Sequence, residues 1–229
     1  MKLIFIIIAV AYLLLFLVRW LLSLIYYKKG KSDVTDFPEE LFTVVQPILS
    51  GDPRLESDLR ANLQQTKTIE FYWLIDQSDT EAQRVANKIC QDELFSQRIR
   101  IFLIEDVPQG INPKSYKIEQ VVEDLTRPYL IVLDDDSVID FSKMGEPTAY
   151  LGQEVILTGI PYNQERSNFW SKLVASFVNG NSLITYFTMA QVEANHSING
   201  MFYILPVNLV KDQDLFTAIK DYLCDDLAV

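Results

Sequence analysis

The first apolar stretch of the chain has no period: from Leu3 to Tyr27 only Arg19 and Ser23 interrupt it. A helix rising about 1.5 Å per residue over that length crosses a hydrocarbon core of about 30 Å with some tilt. The run is too long for a cleaved leader, and no small-x-small cleavage site precedes Lys28. Trp20, Tyr26 and Tyr27 suit the interface, and Arg19 is tolerated by snorkelling or by facing a partner helix. Segment 1–31 therefore reads as a transmembrane anchor with a basic flank. The Lys28-Lys29-Gly30-Lys31 cluster outweighs Lys2, which places the C-terminal body in the cytoplasm. Residues 32–40 are polar, contain Pro38 and read as a linker.

From residue 41 the pattern changes. Short apolar runs predict strands at Leu41–Pro47, Ile69–Ile75, Arg98–Ile104 and Tyr129–Leu133, and more loosely at Glu154–Ile160 and Asn199–Leu205. Helical spacing predicts helices between them. Arg54–Gln65 puts Leu55, Leu59 and Leu63 on one face, and Thr80–Phe95 does the same with Val85 and Ile89. Further helices are expected at Ser115–Leu125, at Phe169–Gln191 as one aromatic-rich helix or two shorter ones, and at Leu209–Tyr222. Strands alternating with helices argue for an α/β domain, a mostly parallel sheet with helices on both faces, over 41–229.

Composition sharpens this picture. Hydrophobic residues make up 49% of the 229, so a sizeable core is available. The net charge is −11, yet residues 1–31 hold five basic residues and no acid, leaving 15 basic against 31 acidic residues beyond them. So acidic a body argues against nucleic acid as a partner, because affinity for phosphate backbones comes from Lys and Arg. Cys90 and Cys224 make neither a disulfide framework nor a zinc site. Walker A, G-x-G-x-x-G and G-x-S-x-G sequences are absent, and His196 is the lone histidine.

The candidate chemistry lies in acidic clusters at element ends: Asp76 with Asp79, Asp134-Asp135-Asp136, and Asp225 with Asp226. Ligands in open α/β sheets bind beyond the carboxyl ends of the strands. Three adjacent carboxylates there repel one another unless a cation or solvent offsets the charge. The aspartate run is either a divalent metal site, Mg²⁺ or Mn²⁺ holding a phosphorylated ligand, or an acidic turn. In Gln109-Gly-Ile-Asn-Pro-Lys114, Lys114 starts a helix whose N–H groups would reinforce phosphate binding; the alternative is a loop with a surface lysine.

Taken together, these segments resemble the family 2 type of GT-A glycosyltransferase, and more narrowly the ceramide glucosyltransferase branch and its bacterial relatives. The resemblance runs in order through Val45-Gln-Pro-Ile-Leu-Ser-Gly-Asp52 with Leu59-Arg-Ala-Asn-Leu63, Ile111-Asn-Pro-Lys114, Leu133–Val138, Thr158-Gly-Ile-Pro-Tyr162, Asn199-Gly-Met201 and Cys224-Asp-Asp226. It covers about residues 41–229 and implies a Rossmann-like GT-A domain. By that resemblance Asp76, with Asp79, contacts the nucleotide, and Lys114, Asp134 and Asp135 engage the diphosphate. Asp136 and Asp134 hold the metal, and Asp226, or Asp225, deprotonates the acceptor. The implied reaction is inverting transfer from a nucleotide-diphosphate sugar to a lipid or membrane-proximal hydroxyl.

The sequence departs from the branch in two places. Gln46 stands where the branch carries Lys, and the (Q/R)-x-x-R-W motif expected after Asp226 does not occur before Val229. A shortened chain, a non-catalytic nucleotide- or partner-binding relative, and a piece of a processive polysaccharide synthase stay open on that basis.

Overall fold

The computed structural model describes residues 2–29, 37–141, 150–164, 168–194 and 197–222. They form two compact units, one drawn from Met1–Asp33 with Ile160–His196 and the other from Val34–Gly159 with Ser197–Val229.

The larger unit is built on a six-stranded sheet of order β3-β2-β1-β4-β6-β5. Its strands are β1 (Phe42–Ile48), β2 (Glu70–Asp76), β3 (Ile99–Ile104), β4 (Tyr129–Leu133), β5 (Leu157–Thr158) and β6 (Phe202–Pro206). β1 to β4 pair in parallel, whereas β6 runs antiparallel to β4 and to β5. The expected mostly parallel α/β sheet is therefore present, with an antiparallel edge.

Both faces of the central strands are covered, which is why they read as near-continuous apolar runs. Val44, Phe71, Trp73 and Ile75 pack on one side with Leu59 and Leu63 of α2 (Leu55–Gln64) and Val85 and Ile89 of α3 (Thr80–Cys90). Val45, Tyr72, Leu74 and Val132 pack on the other side with Ile118 of α5 (Pro113–Glu119).

Several elements end earlier than their periodicity predicts. The helix expected over Thr80–Phe95 stops at Cys90 and restarts as α4 (Glu93–Ser96), because the Asp92 carboxylate accepts the Leu94 N–H at 3.1 Å. The helix expected at Ser115 begins at Pro113, since Asn112 caps it, and stops at Glu119 before a 3-10 turn at Val122–Asp124. Leu209–Tyr222 divides into α7 (Val207–Asp212) and α8 (Leu215–Ile219) around Asp214, whose φ of 46° is left-handed. β6 starts only at Phe202, because Asn199 folds back on the chain: its side chain accepts the Met201 N–H at 3.0 Å and its carbonyl the Phe202 N–H at 3.2 Å.

Gly159 follows the edge strand β5 where it passes β6. A methyl group placed there would stand 2.5 Å from Cδ1 of Phe202, so the close approach requires glycine. The last part of the polar stretch before β1 is fastened to the body, as Glu39 accepts the N–H groups of Lys67 (2.6 Å) and Thr68 (2.7 Å).

The smaller unit consists of α1 (Lys2–Lys29) and α6 (Phe169–Gln191), the latter a single helix. α1 is long and apolar enough to cross a membrane. Arg19 does not stand alone on it. Its guanidinium donates to Thr185 Oγ1 at 2.8 Å, the Thr188 hydroxyl donates to the Arg19 carbonyl at 2.9 Å, and Tyr26 meets Phe187 with ring centroids 5.2 Å apart.

Candidate active site

The carboxyl ends of β1, β2 and β4 open into a cleft of about 390 Å³, lined among others by Leu49, Asp76, Lys114, Lys117, Asp134 and Asp135. Parallel pairing produces this convergence. Side chains at the ends of adjacent parallel strands leave the sheet along one edge, however far apart they lie in sequence.

Asp76 closes β2 and faces Lys117 of α5, with Lys117 Nζ 2.9 Å from Asp76 Oδ2. Lys117 is buried, and its ammonium also approaches the Ile48 carbonyl at 3.4 Å. The other oxygen of Asp76, Oδ1, is buried without a hydrogen-bond partner. A buried carboxylate oxygen with no protein donor can accept an N–H or O–H from a ligand or from water. Lys117 has a weak sequence signal, a lysine one residue before the buried Ile118, and sequence reasoning missed it.

Lys114 reaches the aspartate run. Its Nζ lies 2.9 Å from Asp134 Oδ1, donates to the Gly200 carbonyl and sits 5.4 Å from the centre of the Tyr203 ring. The expected role of helix N–H groups is overturned. The Asn112 side chain accepts both the Lys114 N–H (3.0 Å) and the Ser115 N–H (3.2 Å), so these amides are already satisfied by the cap. Pro113 and Lys114 at the start of α5 both line the cleft, but what Lys114 offers there is its ammonium rather than a free amide.

The three aspartates differ. Asp134 pairs with Lys114, while its own N–H donates to the Met201 carbonyl at 3.0 Å. Asp135 accepts the Leu49 N–H at 2.7 Å. Burial pushes the Asp135 carboxyl above its ordinary range; the Leu49 N–H opposes this, and the neighbouring charges of Asp136 and Asp134 reinforce it. Asp136 is exposed, with the Ser137 hydroxyl 3.4 Å from Oδ1. The turn is held from outside by Asn62, a buried side chain of α2. It donates to the Ser137 carbonyl and accepts the Ile139 N–H, each at 2.9 Å. A lone Asn among helix leucines carries no signal of a clamp that acts 75 residues away.

Asp79 has a different placement from Asp76. Oδ1 accepts the Ala82 N–H at 2.9 Å as the cap of α3, and Oδ2 accepts the Ser50 N–H at 2.7 Å. Burial would raise its carboxyl, but these N–H groups outweigh burial and hold it below the ordinary range. Gln46, at the position of the branch's Lys, is buried on β1 and accepts the Trp73 indole N–H at 3.1 Å. Asp225 and Asp226 lie outside the described residues. The chain just before them is tethered near Lys114: Asn112 donates its backbone N–H to the Lys220 carbonyl (2.8 Å) and its side-chain amide to the Tyr222 carbonyl (3.2 Å).

The donor chemistry around Asp134–Asp136 suits a hard divalent ion, since it offers carboxylate oxygens and no imidazole or thiolate. Among the described residues no group of three or more His, Cys, Asp or Glu side chains is arranged to hold such an ion. Oxygens from a diphosphate and from water would therefore have to complete its shell.

No family model matches the chain, and no curated protein matches it. Solved structures do. The mannosyltransferase PcManGT of Pyrobaculum calidifontis, determined with GDP-Man and Mn²⁺, is 12% identical with a TM-score of 0.53, covering 86% of this chain and 55% of that one. Residues 1–349 of TarS from S. aureus are 13% identical with a TM-score of 0.46, covering 76% of this chain and 49% of that one. The chain thus spans about half the length of these two structures. The first likeness shows the fold: the larger unit is a GT-A sheet of the kind found in glycosyltransferases.

Proposed function

We propose that the chain is a membrane-anchored GT-A glycosyltransferase that transfers a sugar from a nucleotide-diphosphate donor, UDP-sugar by preference, to a lipid hydroxyl. The observation carrying this reading is the convergence of Asp76, Lys117, Lys114, Asp134 and Asp135 on one cleft at the carboxyl edge of the parallel strands. Asp76, oriented by Lys117, receives the N–H or O–H groups of the nucleoside through its unpartnered oxygen. Lys114 supplies positive charge to the diphosphate from beside Asp134. Asp134 and Asp136 hold Mg²⁺ or Mn²⁺, which when bound neutralises charge on the leaving diphosphate. Asp226, with Asp225 as the alternative, removes the acceptor proton as the hydroxyl attacks the anomeric carbon with inversion.

The tether at Tyr222 supports that last assignment, because the four residues from Tyr222 to Asp226 span at most about 14 Å. The order of the segments 45–63, 111–114, 133–138, 158–162 and 199–201 supports the ceramide glucosyltransferase branch. α1, with Lys28 and Lys29 in its last turn, supports an N-terminal anchor and a cytoplasmic body. A membrane anchor in turn favours an acceptor held in the bilayer.

Membranes containing the chain, supplied with Mn²⁺, ceramide or another lipid acceptor and a panel of radiolabelled UDP-hexoses, provide the test. Label moving into lipid, and lost with Asp136→Ala and with Asp226→Ala, is the expected result. Transfer unchanged in both variants sinks the assignment. Binding of UDP without transfer of any of the sugars would instead define a nucleotide-binding relative without turnover.

A further inference from the structure

The N-terminal half of α6 carries an exposed apolar stripe. Phe169, Trp170, Leu173, Val174 and Phe177 are exposed by 69, 70, 50, 54 and 75%. Their spacing, i, i+1, i+4, i+5 and i+8, places them on one side of the helix. The other side is occupied. Ala175 is buried, and Asn179 is engaged at both ends of its amide, accepting the Asn163 N–H at 2.7 Å and donating to the Asn163 carbonyl at 3.0 Å. Polar contacts between the two helices involve Arg19 and Ser23 of α1 with Leu183, Thr185 and Thr188 of α6. These contacts, with Tyr26 and Tyr27 against Phe187, join the C-terminal half of α6 to the Arg19–Tyr27 stretch of α1.

We infer that the N-terminal half of α6 is a second membrane-contacting element, seated in the headgroup–acyl boundary of an anionic bilayer with its Phe169–Phe177 stripe in the lipid. The inference rests on the proposal that α1 is membrane-embedded and extends it to a helix that sequence hydropathy does not single out.

Three observations select lipid as the occupant. Beside the cytoplasmic end of the proposed anchor the two helices offer Lys28, Lys29 and Lys172, and neither helix carries a carboxylate, a charge pattern complementary to anionic headgroups in a chain whose net charge is −11. The exposed stripe is continuous in character with α1, whose large apolar side chains are also uncovered, from Leu3 (69%) to Tyr27 (58%). The N-terminal half of α6, with Phe169, Trp170, Leu173, Val174 and Phe177 on one side and Ser171, Lys172, Ser176 and Asn179 on the other, has the two-faced pattern of interfacial insertion.

Nitroxide labelling of the full chain in liposomes of phosphatidylcholine and phosphatidylglycerol tests this, on a Cys90→Ser, Cys224→Ser background. Labels are placed singly at Leu13→Cys in α1, at Phe177→Cys in α6, and at Leu94→Cys in α4 as an exposed control in the larger unit. The expected result is higher relaxation by oxygen than by the water-soluble nickel reagent NiEDDA at Leu13 and Phe177, and the reverse at Leu94. Leu13 in lipid with Phe177 open to NiEDDA overturns the inference and leaves the anchor standing. Leu13 and Phe177 both open to NiEDDA overturns the anchor and the inference together. A Phe177 label shielded from both reagents, with spin–spin broadening, identifies a second copy as the occupant and also overturns it. Because Phe177 is 75% exposed, its replacement removes no internal packing.

Discussion

Lys117 Nζ lies 2.9 Å from Asp76 Oδ2, and their side chains are 4% and 18% exposed. The ion pair links α5 to the end of β2 inside the candidate cleft and turns the remaining oxygen of Asp76 into a fixed, unpartnered acceptor. A buried lysine is stable as a cation only with such a partner, so the pair acts as a unit.

Lys117→Met keeps most of the aliphatic stem and removes the charge. Breaking a buried pair from one side costs roughly 3 kcal/mol, the low end of the usual range because Asp76 keeps some contact with solvent. The urea midpoint of the detergent-solubilised chain should fall accordingly, and UDP affinity should fall with it as Asp76 loses its orientation. An unchanged midpoint would mean that the pair is not formed in solution.

Asn62→Ala should loosen the aspartate turn without touching the cleft. It leaves the Ile139 N–H and the Ser137 carbonyl without their partner, at a cost of about 1–3 kcal/mol. The expected signature is a lower urea midpoint together with weaker UDP–Mn²⁺ binding in calorimetry. Loss of stability with donor binding intact would separate the clamp from the site.

Asp79→Ala removes the cap of α3, at about 1 kcal/mol. The Asp79 carboxyl is held below its ordinary value of 3.8, so its contribution is complete above that pH and is lost as pH falls through the lower folded value. Urea midpoints of wild type and variant should therefore differ at pH 7 and converge at strongly acid pH. A gap that persists into strong acid would show that the charge of the carboxylate is not what the cap uses.

UDP with Mn²⁺ should raise thermal stability more than either alone. A ligand at 100 times its Kd stabilises by about 2.7 kcal/mol. Asp136 is exposed, so Asp136→Ala should leave the ligand-free melting temperature near that of the wild type and abolish the Mn²⁺-dependent increment. Retention of the full increment would exclude Asp136 as a metal ligand.

Much of the fold was legible in local patterns. β1, β2 and β4 announce themselves as short apolar runs because both their faces are buried, and a strand with two buried faces has few positions left for polar residues; β3, at the edge of the sheet, is only partly covered. Element ends were less legible. A helical period continues across Cys90 and across Asp214 although the helices do not, because the breaks are made by the Asp92 cap and by one left-handed residue. Periodicity carries no record of either.

The site divides in the same way. Sequence alone determined the carboxylates at strand ends, the Asn-Pro-Lys turn and the long apolar run of α1, because charge, turn chemistry and hydropathy are local properties. Only the tertiary structure decided that Lys117 pairs with Asp76, that Asn62 grips the turn after Asp136, and that Asn112 takes the amides assigned to a phosphate. Each of the first two contacts joins residues more than 40 positions apart, and the third depends on the rotamer of one capping side chain. The aspartate run at 134–136, read alone, is a metal site or an acidic turn. Its neighbours across the sheet edge, brought there by parallel pairing, distinguish the three carboxylates from one another.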